Sequence, residues 1–427
     1  MTTRRMSRRA FLARSAGAAA VPCFVPGSVL GKSGAVAASE RIVLGAIGIG
    51  PRGRYVLGRM LDEADVQFVA VCDVQASRRQ AVLDMARAKY GRDDCASYVD
   101  MFELLARDDI DAVLVATGDR WHSLASILAA KAGKDVYSEK PCGITIGDCQ
   151  ALADTMNRHG RVFQAGTQRR SISNFQFAAH LALSGKLGKI HTVHASIYKL
   201  QVLYDWLPAQ AEPPRDICDW DRWLGPAPWR PYNKQYVDGG WRGYFDFDSG
   251  ATLLDWGAHT VDLCQWALGK DGTGPVEYEP DGGTIYARYA DGVKLVMRLG
   301  GFQNEGDWIG LGTCPVRFEG DEGWVETGDS GDVAVYPQSL LGERKLYAIR
   351  GTDPAGHTRN FFDCVKSRRP TAANPDVMRS SHIVCHAAAI AWQLGRKMEF
   401  DPKAEAFVND DEANRMRTRA KRAPWHI

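Results

Sequence analysis

Two groups of residues in this sequence have types and spacings suited to moving a proton. Lys140 ends a short apolar run and precedes Pro141, which has no N–H with which to continue a strand ladder. Asp255 and His259 lie four positions apart, so on a helix they share one face. Histidine titrates near neutral pH, and a positive charge nearby lowers the pKa of a lysine. This pattern indicates acid–base chemistry.

Each group also has an ordinary interpretation. Most lysines are solvated surface residues, and a lone histidine is usually a core or surface group whose hydrogen bonds are satisfied. The position of Lys140 favours a functional role, because a residue at the end of a parallel strand lies at the carboxyl edge of the sheet. Open α/β sheets bind their ligands at that edge.

A glycine-rich turn upstream indicates a dinucleotide site. The apolar run 41–47 leads into Gly48-Ile49-Gly50-Pro51-Arg52-Gly53, and a helical pattern follows from Tyr55 to Leu61. In such a turn the first glycine permits the tight bend, the second lets the backbone approach a pyrophosphate, and the third lets helix pack on strand. The helix N-terminus then offers unpaired N–H groups to the phosphates.

The second apolar run, 66–72, ends in Asp73, which lies 25 residues after Gly48. A carboxylate there accepts hydrogen bonds from ribose hydroxyls and repels a 2′-phosphate, so NAD is the expected cofactor and NADP the less favoured one. Arg78 and Arg79 follow closely. They either relax this preference or, as we expect, lie on a solvated helix face.

The strand and helix patterns up to residue 166 alternate, which predicts an N-terminal Rossmann domain with a doubly wound parallel sheet. Its later strands are predicted at 111–117, before Lys140 and at 161–166. Between 284 and 349, short alternating runs with Gly and Asp turns predict antiparallel strands, and helices are predicted at 357–367 and 380–395. We therefore predict domains at 38–166 and 167–427, an α/β domain followed by an α+β domain.

Several motifs together resemble the Gfo/Idh/MocA family of NAD(P)-dependent sugar and polyol oxidoreductases. They are G-x-G-x-R-G, the T-x-D-x-x-H turn of Thr117 to His122, A-G-K-D-V-Y-S-E-K-P and D-x-G-x-H-x-x-D, and the similarity runs from about residue 41 to the C-terminus. The resemblance implies a large open, mainly antiparallel C-terminal sheet that also makes a homodimer or homotetramer. The implied cofactor-binding residues are Gly48, Gly50, Arg52, Gly53, Asp73, Thr117, His122, Glu139 and Lys140.

The resemblance also assigns roles. It implies that His259 transfers the proton, that Asp255 binds and orients the substrate hydroxyl, and that Lys140 polarises the hydroxyl or relays a proton. Which of Lys140 and His259 is the primary base stays open. The candidate substrate-binding residues are Gln168, Arg169, Trp241, Arg242, Asp255 and His259. Many relatives have three glycines before this motif where the chain has 249–251 as Ser-Gly-Ala, so the loop suits a different substrate.

Three pairs of residues near these motifs have two interpretations each. Arg169 and Arg170 either hold a sugar or pair with surface acids. Trp206 and Trp241 are the tryptophans best placed to stack on a sugar, although tryptophan is also a core residue. His382 and His386 have a metal-like i, i+4 spacing without an evident third ligand. A helix face is the favoured interpretation, and no metal is predicted.

The N-terminus predicts export. Ser7-Arg8-Arg9-Ala10-Phe11-Leu12 resembles a twin-arginine signal, and residues 35–37 offer a small-residue cleavage site, so 1–37 is predicted to be a signal peptide and the mature protein periplasmic. A disordered basic tail is the alternative. Residues 1–37 hold six basic and no acidic residues, so the rest of this +2 chain is mildly acidic, which argues against nucleic acid. No apolar run is long enough to span a membrane.

Export constrains the redox cycle, because free NAD is scarce outside the cytoplasm. We expect a tightly held cofactor and an oxidoreductase acting on a secondary hydroxyl of a sugar, polyol or glycoside, which oxidises one sugar and reduces another. Alternatively, transient oxidation acidifies an α-proton, a glycosidic substituent is eliminated, water is added and the hydride returns, which makes an NAD-dependent glycosidase. A non-catalytic NAD-binding sugar sensor is the least expected alternative. Which sugar is bound does not follow from the sequence.

Overall fold

A computed structural model of the chain describes residues 36–299, 311–346 and 353–425. Within them, a six-stranded sheet has the order β3-β2-β1-β4-β5-β6, and every neighbouring pair is parallel. Its strands are β1 (Ile42–Ile47), β2 (Val66–Cys72), β3 (Ala96–Tyr98), β4 (Ala112–Val115), β5 (Asp135–Ser138) and β6 (Phe163–Ala165). β4 and β5 are buried along their whole length, as expected for parallel strands covered on both faces. The predicted Rossmann sheet is confirmed.

The helices between these strands begin and end at recognisable residues. Thr145 caps α5 by accepting a hydrogen bond from the Asp148 N–H at 3.1 Å, and the helix stops at Gly160, whose φ is +59°. Pro51 occupies the first turn of α1, where no N–H is needed. The helices are α1 (Pro51–Leu61), α2 (Ala76–Tyr90), α3 (Met101–Leu105), α4 (Asp119–Lys131) and α5 (Ile146–His159).

The second sheet has nine strands in the order β13-β12-β11-β7-β10-β9-β8-β14-β15. Among the described strands, only the pairing of β10 with β7 is parallel, so the sheet is mixed and mainly antiparallel, as predicted. The strands are β7 (Ile190–Ile197), β8 (Glu277–Asp281), β9 (Thr284–Arg288), β10 (Lys294–Leu299), β11 (Val316–Gly320), β12 (Gly323–Thr327), β13 (Val333–Tyr336), β14 (Met398–Asp401) and β15 (Ala406–Phe407).

Two long helices connect this sheet to the first. α9 (Leu254–Ala267) packs on β7 and against α11 (Pro375–Leu394), and α11 also packs against α5. Asn374 caps α11 and Pro375 opens it, and Gly395 ends it with φ +62°. The remaining helices are α6 (Ser173–Leu183), α7 (Trp220–Leu224), α8 (Lys234–Val237), α9 (Leu254–Ala267), α10 (Ala355–Ser367), α11 (Pro375–Leu394) and α12 (Asp411–Arg415), with 3₁₀ turns at Ala38–Glu40, Gln168–Ser171 and Gln338–Leu346.

The structure corrects some of the sequence predictions, and the predicted signal peptide falls mainly outside the described residues. The strand Ile190–Ile197 was not predicted, although it lies at the middle of the second sheet. The edge strand Ala406–Phe407 was not predicted either. The cysteines from Cys72 to Cys385 are free thiols. The proposed signal sequence and its cleavage site lie mainly outside the described residues. Among the described residues, no helix is long and apolar enough to cross a membrane.

Candidate functional site

The glycine-rich turn between β1 and α1 has the geometry that its sequence predicts. Gly48 has φ +72°, and a Cβ on it would lie 2.2 Å from Cγ2 of Thr117. A Cβ on Gly53 would lie 2.9 Å from the Cβ of Ala116, so this glycine allows α1 to approach β4 closely. A Cβ on Gly50 would meet only the guanidinium of Arg78, at 3.6 Å, which leaves its backbone open to a ligand. The three glycines thus fit a phosphate-binding turn.

Asp73, at the end of β2, is buried beside this turn. Its Oδ1 accepts a hydrogen bond from the Gln75 N–H at 2.9 Å, whereas its Oδ2 is buried without a hydrogen-bond partner among the described residues. Burial raises the pKa of the Asp73 carboxyl group. Because a buried acceptor without a partner is costly, a ribose hydroxyl is a fitting ligand for this oxygen. The residues therefore fit NAD.

The expectation that Arg78 and Arg79 lie on a solvated helix face is wrong. Arg79 donates to the main-chain oxygen of Asp73 at 2.7 Å, and Arg78 donates to the main-chain oxygen of Val237 at 3.0 Å. Arg78 also lines the same cavity as Gly48 and Asp73. Both arginines are therefore held by backbone acceptors, and Arg78 lies at the edge of the cavity, which the sequence spacing alone did not reveal.

A second cavity, of about 470 Å³, contains most of the remaining predicted site residues. Its size is in the range of small-molecule sites. It shares Thr117 with the cavity that contains Asp73. The predicted residues that line it are Arg52, Thr117, His122, Glu139, Lys140, Gln168, Arg169, Trp241, Arg242, Asp255 and His259. Residues from both sheets thus meet at one site.

Lys140, which follows β5, and Asp255, on α9, meet in this cavity. The Lys140 Nζ donates to the main-chain oxygen of Asp255 at 2.7 Å and lies 3.8 Å from its Oδ1. Arg242 Nε donates to the same Oδ1 at 3.1 Å. The carboxylate of Asp255 is thus shared between two cations in the first turn of α9, where the N-terminal helix dipole also favours negative charge.

His259 follows one turn later on α9 and is almost fully buried. Burial, together with the positive charges of Arg169 and Lys140, holds the pKa of its imidazole well below the usual value. The ring is therefore neutral at neutral pH and can accept a proton. Its Nδ1 is buried and has no hydrogen-bond partner among the described residues.

Arg52 and His122 line the cavity and contact the turns around it. Arg52 Nε donates to Oε1 of Glu139 at 3.0 Å, which ties the glycine-rich turn to the end of β5. The ring nitrogens of His122 face the main-chain oxygens of Pro141 at 2.6 Å and Thr117 at 3.1 Å. Burial lowers the pKa of His122. This histidine lines the cavity, and it also fixes two of the turns that shape it.

The two arginines after β6 have different surroundings. Arg169 lines the cavity, and its Nε and Nη2 both bond the carboxylate of Asp329, with Nε to Oδ1 at 2.8 Å. Its Nη1 is buried and has no partner among the described residues. Arg170 instead pairs with Asp262 and Asp271. Arg170 and Asp262 therefore form an internal ion pair away from the cavity, whereas Asp271, whose side chain is 33% exposed, is the partner nearer the surface.

The two tryptophans considered for sugar stacking, Trp206 and Trp241, lie in different places. Trp241 is buried and lines the cavity, with the Arg242 guanidinium 4.6 Å from its ring centroid. Trp206 is 54% exposed, packs edge-on against Trp229 and does not line this cavity, so its selection as a sugar-stacking candidate was wrong for this site.

Sequence reasoning missed five residues that line the cavity: Ala116, Asp119, Tyr198, Trp256 and Cys314. Asp119 was visible as the acid in the T-x-D-x-x-H turn, and burial raises its pKa. Trp256 follows Asp255 directly and packs edge-on against Tyr198 at 5.7 Å. Burial raises the pKa of Cys314 to about 11, which keeps its thiol protonated. No sequence signal indicated Tyr198 or Cys314.

His382 and His386 are both buried in α11. The Nε2 of His386 lies 3.2 Å from the main-chain oxygen of Gly143. In the described part of the chain, no group of three or more histidine, cysteine or acidic side chains could hold a metal ion.

Two family models match the chain. The model described as the oxidoreductase family, NAD-binding Rossmann fold, matches residues 42–167. The model described as the oxidoreductase family, C-terminal alpha/beta domain, matches residues 204–427, which is more than half of the chain. The chain belongs to the Gfo/Idh/MocA oxidoreductase family. Its first sheet is the NAD-binding part, so the cofactor is NAD, which agrees with the glycine turn and Asp73.

Individual relatives match shorter segments. The inositol 2-dehydrogenase of Salmonella typhimurium is 31% identical over 169 residues, which are 39% of this chain and 49% of the relative. A glycosyl hydrolase family 109 protein of Saccharopolyspora erythraea is 39% identical over 130 residues, 29% of this chain and 28% of the relative. The chain thus spans about half or less of these curated relatives.

Among solved structures, the WlbA dehydrogenase of Bordetella pertussis, in complex with NADH and UDP-GlcNAcA, has a similar fold. The match has a TM-score of 0.61 at 17% identity and covers 84% of this chain and 99% of that one. At this identity the likeness supports the fold of both sheets and no more.

Proposed function

We propose that this protein is an NAD-dependent oxidoreductase that acts on a secondary hydroxyl of a sugar, polyol or glycoside and holds its cofactor tightly. One observation carries the proposal. The buried His259, whose pKa is well below the usual value, shares a cavity with Lys140 and with Arg52 of the glycine-rich turn. A neutral base and a fixed ammonium group therefore lie beside the NAD-binding turn.

The proposed roles follow from charge and position. His259 accepts the hydroxyl proton, because its Nδ1 has no hydrogen-bond partner among the described residues, and the ammonium of Lys140 stabilises the negative charge that develops on oxygen. Asp255 and Arg242 bind neighbouring hydroxyls, and the aromatic surface of Trp241 contacts the sugar ring. NAD, when bound, accepts the hydride from the carbon that carries the hydroxyl. Gln168 and Arg169 bind the part of the substrate that lies away from the reacting hydroxyl.

A second candidate function is a redox-neutral, NAD-dependent glycoside hydrolase. The 39% identity with a glycosyl hydrolase family 109 protein favours it over that segment. The same proton acceptor would serve both reactions, because removing a hydroxyl proton and removing an α-proton from the resulting ketone both need a neutral base. A sugar sensor is the third alternative, and the presence of both Lys140 and His259 argues against it.

One experiment separates these functions. The purified protein is mixed with myo-inositol, with pairs of aldoses and with chromogenic glycosides, while absorbance at 340 nm and product release are followed. An oxidoreductase produces NADH or reduces the second sugar. A redox-neutral glycosidase releases the chromophore without net NADH. A protein that binds a sugar and converts none of them would be a sensor, and the proposal would fail.

We further propose that the protein is exported to the periplasm by the twin-arginine route and that residues 1–37, 38–166 and 167–427 are its signal peptide and two domains. Arg8 and Arg9 support the export proposal, and the two sheets and the family matches at 42–167 and 204–427 support the domain division. Replacing both arginines with lysine is expected to keep the protein in the cytoplasm. An unchanged periplasmic yield would contradict export by this route.

We also propose a homodimer or homotetramer formed through the second sheet. Large apolar side chains are exposed on three of its strands, with Tyr286 45%, Leu299 57% and Tyr336 60% exposed. Contiguous exposed apolar surface marks an interface, and the strands of Tyr286 and Leu299 are neighbours in the sheet. Multi-angle light scattering is expected to give the mass of two or four chains, and a monomeric mass at micromolar concentration would contradict the proposal.

A further inference from the structure

The cavity that contains Asp73 has a second wall, which comes from distant parts of the sequence. Gly48 and Asp73 lie on one side of it, and Arg222, Trp223 and Trp425 also line it. Arg222 and Trp223 belong to α7, and Trp425 belongs to the C-terminal segment. None of these three residues is part of a dinucleotide-binding motif, yet all three adjoin the acid suited to the adenosine ribose.

Trp425 packs against elements of the first sheet. Its ring meets Trp121 edge-on, with 4.9 Å between centroids, and lies nearly parallel to Phe102 at 6.4 Å. Trp121 is on α4 and Phe102 is on α3, so the last aromatic residue of the chain returns to the NAD-binding part. The Trp425 Nε1 is buried and has no hydrogen-bond partner among the described residues. A buried donor of this kind suits a ligand that carries acceptors.

The segment before Trp425 is held by hydrogen bonds that main-chain oxygens accept. The main-chain oxygen of Arg417 accepts from the Gly147 N–H at 2.9 Å, at the start of α5. Arg422 donates from its main-chain N–H to Pro226 at 3.0 Å and from its Nε to Gly225 at 3.1 Å, both to main-chain oxygens. We call residues 417–425 the C-terminal strap. These bonds fix the strap beside α7, next to the cofactor cavity.

α7 is itself joined to the NAD-binding part. The Trp121 Nε1 donates to the main-chain oxygen of Arg222 at 3.0 Å. Arg222 also pairs with Asp100, at 2.8 Å, in the turn that opens α3. The wall formed by α7 and the strap is therefore attached at several points to the loops after β3 and β4.

We propose that the C-terminal strap is part of the cofactor site, where Trp425, with Arg222 and Trp223, encloses the adenosine end of NAD and slows its release. Aromatic surface suits a purine base, and guanidinium groups suit its phosphates. We assign this cavity to the adenosine end of NAD because Asp73 lines it, whereas Lys140 and His259 line the second cavity. The proposal concerns cofactor retention and does not depend on the proposed reaction.

Cofactor release from the holoprotein tests the proposal. Prebound NADH is displaced by excess ADP-ribose, which lacks the nicotinamide, and the loss of bound-NADH fluorescence gives the release rate. Trp425→Ala is expected to speed release by about tenfold or more, the scale of losing one aromatic contact with a base. Trp229→Ala is the matched control, because Trp229 is 57% exposed and lies outside both cavities. A release rate for Trp425→Ala within twofold of the parent would overturn the proposal.

A measurement on the unaltered protein covers the case in which Trp425→Ala does not fold. Hydrogen–deuterium exchange is followed with and without ADP-ribose in peptides that contain the strap and in peptides that contain Gly48. Slower exchange in both upon ADP-ribose binding supports the proposal. Protection of the Gly48 peptides with unchanged exchange throughout the strap would overturn it.

Discussion

Lys140 contacts Asp255 mainly through the main chain. The distance from Nζ to the Asp255 carbonyl oxygen is 2.7 Å, whereas the distance to Oδ1 is 3.8 Å. The carboxylate makes its shorter contact with Arg242, whose Nε donates to the same Oδ1 at 3.1 Å. A main-chain acceptor fixes the ammonium group relative to α9, on which His259 lies four residues further along. The relation between Lys140 and His259 is therefore set by the backbone of one helix turn.

Replacing Lys140 with methionine should lower turnover by about 10²-fold or more, because a group that stabilises charge on the reacting oxygen is lost. NAD content should stay within twofold of the parent, since the glycine-rich turn and Asp73 are untouched. Steady-state rates and cofactor content of the same preparation check this. Lys131→Met, at an exposed position on α4, is the control. Parent-like turnover of Lys140→Met would remove this residue from the mechanism.

Asp73→Ser should weaken NAD binding by about 10- to 100-fold, the range for losing a hydrogen bond to a charged acceptor. It should also reduce the preference for NAD over NADP, because the carboxylate no longer repels a 2′-phosphate and Arg78 and Arg79 remain nearby. Fluorescence titration with both cofactors measures the two affinities. Asp62→Ser is the exposed control. An unchanged ratio of the two affinities would show that Asp73 does not select the cofactor.

Asp329→Asn should act on substrate binding. Asp329 holds both Nε and Nη2 of Arg169 at the edge of the cavity, so its loss frees that arginine to reorient. We expect KM to rise about tenfold while kcat changes less than about threefold, the signature of lost binding that is uniform along the reaction. Asp321→Asn, in the exposed turn between β11 and β12, should leave both constants unchanged. A fall in kcat at constant KM would refute the binding role.

Stability should depend on buried histidines. Burial lowers the pKa of His357 to about 4 and of His382 and His386 to about 3. In the unfolded chain histidine titrates near 6.5, so below that pH the unfolded state binds more protons. The contribution of these histidines to the free energy of unfolding should therefore be fully present above about pH 6.5. It should decrease as the pH drops towards their pKa values in the folded protein.

Urea unfolding of His386→Gln at pH 7.5, 6.5 and 5.5 checks this linkage. Between pH 6.5 and 5.5 the variant should lose about 1 kcal/mol less than the parent, because one proton-uptake site has been removed. His159→Gln, at an exposed position in the last turn of α5, should lose as much as the parent. Equal losses for His386→Gln and the parent would show that His386 does not contribute to the acid sensitivity.

The first sheet was predictable because its signals are local. The glycines at 48, 50 and 53, Asp73 and the alternation of strands and helices each depend on residues close in sequence. The pairing of Asp255 with His259 was likewise visible from helix spacing. In the second sheet, Ile190–Ile197 pairs with β10 and β11, about a hundred residues or more away, so no local spacing indicated its partners.

The missed parts of the site depend on contacts across the chain. Asp329 reaches Arg169 from the hairpin after β12, and Trp425 reaches Trp121 from the C-terminal segment. No spacing rule links such residues, because tertiary packing alone brings them together. For the same reason the sequence could not separate Arg169, in the cavity, from Arg170, in an internal ion pair with Asp262.

The most direct test of the proposed site is the first turnover of His259→Gln, compared with the parent at equal NAD occupancy. Cofactor-loaded protein is mixed with a substrate from the sugar panel, and absorbance at 340 nm is followed in a stopped-flow instrument. The account predicts a rapid rise for the parent and a rise at least about 10²-fold slower for the variant, because the proton acceptor is gone. A parent-like rise in the variant would contradict the account.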